Sequence, residues 1–129
     1  MSKEISKNNA EDFGEILSII EKAREKTFRA VNSELISMYW DIGKYISKKV
    51  KSVVSDFADF IQDQYIGIQG FSASNIWRMR QFYEIYFDNE KLAPLVREIS
   101  WTNNMVIMSR AKTVEAREFY LTLAAKNRY

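Results

Sequence analysis

Between Glu11 and Lys51 the chain contains no proline and only two glycines, Gly14 and Gly43. Over that stretch Ile16, Ile20, Ala23, Thr27, Val31, Leu35, Met38, Ile42 and Tyr45 advance by three or four residues, a mean step of about 3.6, the period of one helical face. The stripe predicts one long helix, or two helices meeting near Asn32-Ser33. Average globular helices run ~10–14 residues, so a stripe this long either packs partly on something beyond its own small domain or folds back on the rest of the chain.

Four glycines and one proline in 129 residues are too few to punctuate a meander of short strands, and the fold class expected is all-α. A hydrophobic content of 47% is enough to build one core. No apolar run approaches the ~20 residues of a membrane span, so no membrane partner is expected. The polar residues 1–10, MSKEISKNNA, are expected to fray as a flexible N-terminus, leaving 11–129 as a single helical domain. They lack the apolar centre of a signal peptide, and a cytoplasmic location is expected.

Further along, Ser55 is a candidate cap for a short helix with Phe57, Phe60 and Ile61 inward and Asp56, Asp59 and Asp63 outward. The segment IGIQG supplies two glycines for a turn, and Ser72 is placed to cap a helix running to about Phe87. Together these resemble a helix-turn-helix unit with a longer connection than the usual 3–4 residues. Residues 88–99 read as a connector anchored by Leu95-Val96. Ser100 and Thr113 are further candidate caps, and for the MVIM run at 105–108 periodicity leaves helix and buried strand open. The last helix, to about Lys126, has apolar residues on more than one side, including Phe119, Tyr120 and Leu123. Trp40, Trp101, Phe119 and Tyr120 are assigned to the core.

The chain has no cysteine and no histidine, which excludes disulfides, thiol nucleophiles, Ser-His-Asp triads and imidazole metal sites. A PD-(D/E)XK nuclease site needs an acidic residue two positions before a lysine, and none of the eleven lysines has one. Asp56, Asp59 and Asp63 share a helical face, where carboxylates rarely encircle an ion. No phosphate-binding loop or dinucleotide fingerprint occurs, and no cofactor is expected.

The net charge of +2 hides an uneven distribution. Residues 35–54 sum to +3, 55–70 to −3 and 101–129 to +3. On a helical wheel of 72–87, Ile76, Met79, Tyr83, Tyr86 and Phe87 fall on one side. Ser74, Arg78 and Gln81 fall opposite, flanked by Asn75 and Trp77, while Arg80 borders the apolar side. Arginine suits guanine, asparagine and glutamine suit adenine, and serine suits phosphate or either base, so Ser72, Ser74, Asn75, Arg78 and Gln81 are candidate DNA contacts. Lys44, Lys48, Lys49 and Lys51, at the end of the long helix, are candidate phosphate anchors; their alternative role is to complement the helix dipole.

The segments AVNSELISMYWDIGKYI (30–46), GFSASNIWRMRQFYEIY (70–86) and LVREISWTNNMVIMSRAKTVEAREFYL (95–121) resemble the N-terminal domain of the YhcG-like family of bacterial proteins, from about residue 13 onward. The resemblance implies a helical, DNA-binding module that precedes a nuclease domain of the PD-(D/E)XK superfamily acting in DNA cleavage, restriction or repair. It also implies that Ser72, Asn75, Trp77, Arg78 and Arg80 belong to the family's signature helix. The linker KSVVSDFADFIQDQYIGIQG departs from the family in lacking its usual Trp-Gly pair. No nuclease domain lies within the 129 residues, so the chain itself is expected to be non-catalytic. The alternative expectation is an interaction module that self-associates as a homo-oligomer or docks a nuclease partner through the Ile16–Tyr45 stripe and the apolar 119–125 segment.

Overall fold

The computed structural model describes the backbone of residues 7–127, and side chains from Glu11 onward apart from Asp12. Among the described residues it is helical throughout, as expected: α1 (Lys7–Ser47), α2 (Val53–Gln64), α3 (Ala73–Tyr86), α4 (Ala93–Val96), α5 (Trp101–Arg110) and α6 (Val114–Asn127). The long stripe therefore forms one helix rather than two. It begins at Lys7, four residues before Glu11; the expected fraying of residues 1–6 lies outside the described residues. Backbone packing divides the chain after Val31 into two units.

The first unit, through Val31, holds the N-terminal part of α1, and its apolar side chains Phe13, Ile16, Leu17, Ile19, Ile20, Phe28 and Val31 are all exposed. The second unit, from Asn32, contains the core. Phe82 is its aromatic centre, set edge-on to Trp40 at 5.7 Å, Tyr86 at 5.5 Å and Trp101 at 5.1 Å, with Tyr39 against Trp101 at 4.6 Å. Around this cluster Ile36, Ile46, Ile76, Met79, Val96, Ile99 and Leu121 are fully or almost fully buried.

Within this second unit α1 does not bury the stripe that its sequence makes most conspicuous. Ile36, Tyr39 and Ile46 are buried, whereas Leu35, Met38 and Tyr45 are exposed. The buried arc lies roughly 120° around the helix from the stripe. Aromatic and β-branched residues occur on both arcs, so periodicity alone favours the longer row even though the shorter one packs.

Local capping chemistry behaves as the sequence indicates at three helix starts. Ser72 Oγ accepts from Asn75 N, Ser100 Oγ from Asn103 N and Thr113 Oγ1 from Ala116 N, each at 3.1 Å. Each satisfies one of the N–H groups that a helix start leaves without an internal partner. The MVIM run lies inside α5. At α2 the cap differs: the helix begins at Val53, so Ser55 sits inside its first turn, and the cap position Ser52 makes no side-chain bond. Val54 and Ala58 are buried there and Phe60 is exposed, contrary to its inward assignment. Pro94 lies in the first turn of α4, the short helix within the connector.

Three side chains fasten α4 and α5 to their surroundings. Asn104, fully buried, donates through Nδ2 to the carbonyls of Val96, Ile99 and Ser100 at 2.9, 3.2 and 3.1 Å. Asn32 donates to the carbonyls of Arg97 and Ile99 at 3.2 and 3.0 Å, while Arg97 Nε donates to Ser37 and its guanidinium lies over Trp40. On α6 the buried positions are Leu121 and Ala124, and the core assignment of Phe119 and Tyr120 is corrected: they are 61% and 49% exposed. Leu121 and Ala124, three residues apart, share one helical face, which leaves the neighbouring aromatics outside it.

Candidate nucleic-acid interface

The connection from α2 to α3 spans residues 65–72, longer than the 3–4 residues of a helix-turn-helix. Gly67 and Gly70 take φ of +80° and +87°, the left-handed region that favours glycine. At Gly70 a Cβ would also lie 2.9 Å from the Tyr39 hydroxyl.

α3 turns a different arc inward from the one its polar pattern implies. Ile76, Met79, Phe82 and Tyr86 are buried, and Phe87 is exposed. The buried arc is thus rotated by about 40° toward Phe82 and Asn75, which takes Asn75 out of the group of surface candidates. Its Nδ2 donates to the Gly70 carbonyl at 2.6 Å, and its Oδ1 accepts from Trp101 Nε1 at 2.9 Å. Asn75 therefore ties the glycine turn to α5, and Ser72 serves as the cap. Ser74, Arg78 and Gln81 remain exposed on one edge of α3.

The end of α1 meets α3 at very close range. A Cβ built on Gly43 would lie 2.1 Å from the Met79 carbonyl oxygen, so only a residue without a side chain fits this crossing. Beyond it, Lys51 Nζ stands 5.4 Å from the centre of the Trp77 ring and the Arg80 guanidinium 5.3 Å from the same centre. Cations near an aromatic face are attracted by its quadrupole. Arg80 also donates through Nε to Glu84 at 2.8 Å and through Nη1 to the Lys49 carbonyl at 3.3 Å. It thereby joins α3 to the segment that follows α1. Lys49 Nζ lies 5.1 Å from the Tyr45 ring centre.

Lys51 thus meets α3 at the half-buried Trp77, and Lys49 meets it at Arg80 through its backbone carbonyl alone. Lys44 and Lys48 are exposed on the same terminal stretch, without a comparable contact to α3 among the described residues. The roles of Trp77 and Arg80 as the junction are not evident from a helical wheel. The available signal is the three-residue spacing of Trp77 and Arg80, together with Glu84 four residues beyond Arg80. On α2, Asp56, Asp59 and Asp63 are exposed. Among the described residues no three His, Cys, Asp or Glu side chains cluster closely enough to hold a metal ion, and no helix is long and apolar enough to cross a membrane.

Two tyrosines in the second unit resist ionisation. Burial raises Tyr86 to about 12, partly opposed by the nearby charge of Arg117, and burial also raises Tyr39. The Tyr86 hydroxyl finds no hydrogen-bond partner among the described protein atoms. Both side chains belong to the buried core.

No curated protein and no solved structure matches the chain. The family model of the DUF1016 N-terminal domain matches residues 15–129, and the chain belongs to that family.

Proposed function

We propose that this DUF1016 N-terminal domain is a non-catalytic DNA-binding module in which α3 reads the major groove in the manner of a helix-turn-helix recognition helix. Arg78 and Gln81 address base edges, Ser74 a phosphate or base, and Lys48, Lys49 and Lys51 the flanking phosphates, with Lys44 at the margin. The observation that carries this reading is the junction at Trp77, where Lys51 and Arg80 share one ring beside the exposed edge of α3. That arrangement puts cations next to side chains suited to base recognition. The acidic face of α2 would repel phosphate, so the duplex approaches from the side of the lysines.

In the wider protein, this module would deliver a PD-(D/E)XK nuclease domain to cytoplasmic DNA in a restriction or repair system, as the YhcG-like resemblance implies. Ser72 and Asn75 serve this function indirectly, by holding the start of α3. A fluorescence-anisotropy titration against duplex DNA at two salt concentrations tests the proposal. Binding is expected to weaken steeply with salt; Lys51→Ala should reduce the salt slope by about one, and Arg78→Ala should weaken binding roughly tenfold or more. Absence of binding at low salt, or binding indifferent to both substitutions, would overturn it.

A further inference from the structure

Among the described residues the first unit presents an exposed apolar face. Phe13 is 54% exposed, Ile16 53% and Ile20 47%, and a folded chain rarely leaves so continuous an apolar surface uncovered. Phe13, Ile16, Ile20, Ala23, Thr27 and Ala30 follow alternating steps of three and four residues, the a and d spacing of a heptad seam. Charge is segregated along the same stretch. Residues 11–21 carry Glu11, Asp12, Glu15 and Glu21 and no base, whereas 22–29 carry Lys22, Arg24, Lys26 and Arg29 against Glu25 alone.

From these features we infer that the N-terminal part of α1 is a homodimerisation element, and that its occupant is the same segment of a second copy running antiparallel. A parallel pair would set acidic halves side by side and basic halves side by side, while an antiparallel pair sets each acidic half against a basic one. Centring the pair between Glu21 and Lys22 also matches shapes. Phe13 then faces Ala30, Ile16 faces Thr27 and Ile20 faces Ala23, a large residue opposite a smaller one in every layer. Glu15 and Lys26 flank the seam on one side, and Glu21 and Arg24 flank it on the other. Since like flanks meet in an antiparallel pair, each carboxylate lies near a cation of the other copy. This interface is separate from the DNA-facing edge of α3 and does not depend on it.

Sedimentation of the full 129-residue chain, combined with cysteine cross-linking in its cysteine-free background, tests the inference. A dimer is expected at low salt, weakened by salt and by the Glu15→Lys/Glu21→Lys double substitution by about a hundredfold in dissociation constant. Mixing that variant with Arg24→Glu/Lys26→Glu should restore a heterodimer. Oxidation should join Ile16→Cys to Thr27→Cys in a mixture and leave Ile16→Cys alone unlinked. A chain that stays monomeric at low salt, a dimer indifferent to the charge reversals, or self-linking of Ile16→Cys would each overturn the inference, as would a partner of different sequence covering the face while the chain remains monomeric.

Discussion

Two glycines in one helix summarise how differently the two units of this molecule are built. Around Gly14, in the first unit, a Cβ would meet nothing within 4 Å; around Gly43, in the second, it would strike the Met79 carbonyl oxygen at 2.1 Å. The same contrast runs through their neighbours. Ile16 and Ile20 are exposed, while Ile36 and Ile46 are shut into a core with Phe82 at its centre. Similar residue types on one helix thus stand differently: in the second unit they hold the domain together, and in the first they are exposed.

Substitution at the two glycines is the most forceful way to break this comparison. Gly43→Ala must move backbone against backbone and is expected to lower stability by about 3 kcal/mol or more, read as a fall in the midpoint of urea unfolding. Gly14→Ala has open space and better helix propensity, and should leave that midpoint unchanged or raise it, with a local gain of up to about 1 kcal/mol in helix formation. Equal losses at both positions would show that the first unit is as tightly packed as the second.

Next in size is Asn104→Ala, which removes a fully buried side chain together with its three hydrogen bonds and should reduce stability by about 2–3 kcal/mol. Asn75→Ala removes the link between the Gly70 carbonyl and Trp101 and is expected to lower stability by about 1–2 kcal/mol. It should weaken DNA binding only in proportion to the fraction unfolded, whereas Arg78→Ala should weaken binding at unchanged stability. Chemical denaturation and anisotropy on the same variants separate the two effects.

A smaller, pH-dependent effect belongs to the second unit alone. Tyr86 is neutral up to about 12 in the folded chain and ionises near its ordinary value of 10.0 when unfolded. Its contribution is complete below 10.0 and is lost as pH rises toward 12, because there the unfolded state releases the proton first. Thermal stability should therefore fall across this window. Tyr86→Phe should shrink that fall and be close to neutral at pH 7, since the hydroxyl has no partner among the described residues to lose.

The parts of the fold governed by local chemistry are readable from sequence. Ser72, Ser100 and Thr113 announce helix starts because a cap bond reaches only two or three residues along the chain. The long helix is likewise legible, because nothing between Glu11 and Ser47 interrupts it. What is hidden is the choice between arcs that are apolar on more than one side. Phe82 rather than Phe87 enters the core, and Leu121 rather than Phe119, because tertiary partners make that selection. At the candidate interface, Ser74, Arg78 and Gln81 are identifiable as an exposed edge by their spacing. The meeting of Lys51 with Trp77 and Arg80 depends on where the end of α1 arrives, which no local pattern encodes.

Amide hydrogen exchange along α1, followed in the full chain at dilute and at high protein concentration, tests most directly the claim that one helix serves two purposes. The amides around Ile36–Ile46 should exchange slowly at both concentrations. Those between Phe13 and Ala30 should exchange fast in dilute solution and become protected as the chain is concentrated. Slow, concentration-independent exchange along the whole of α1 would contradict the account.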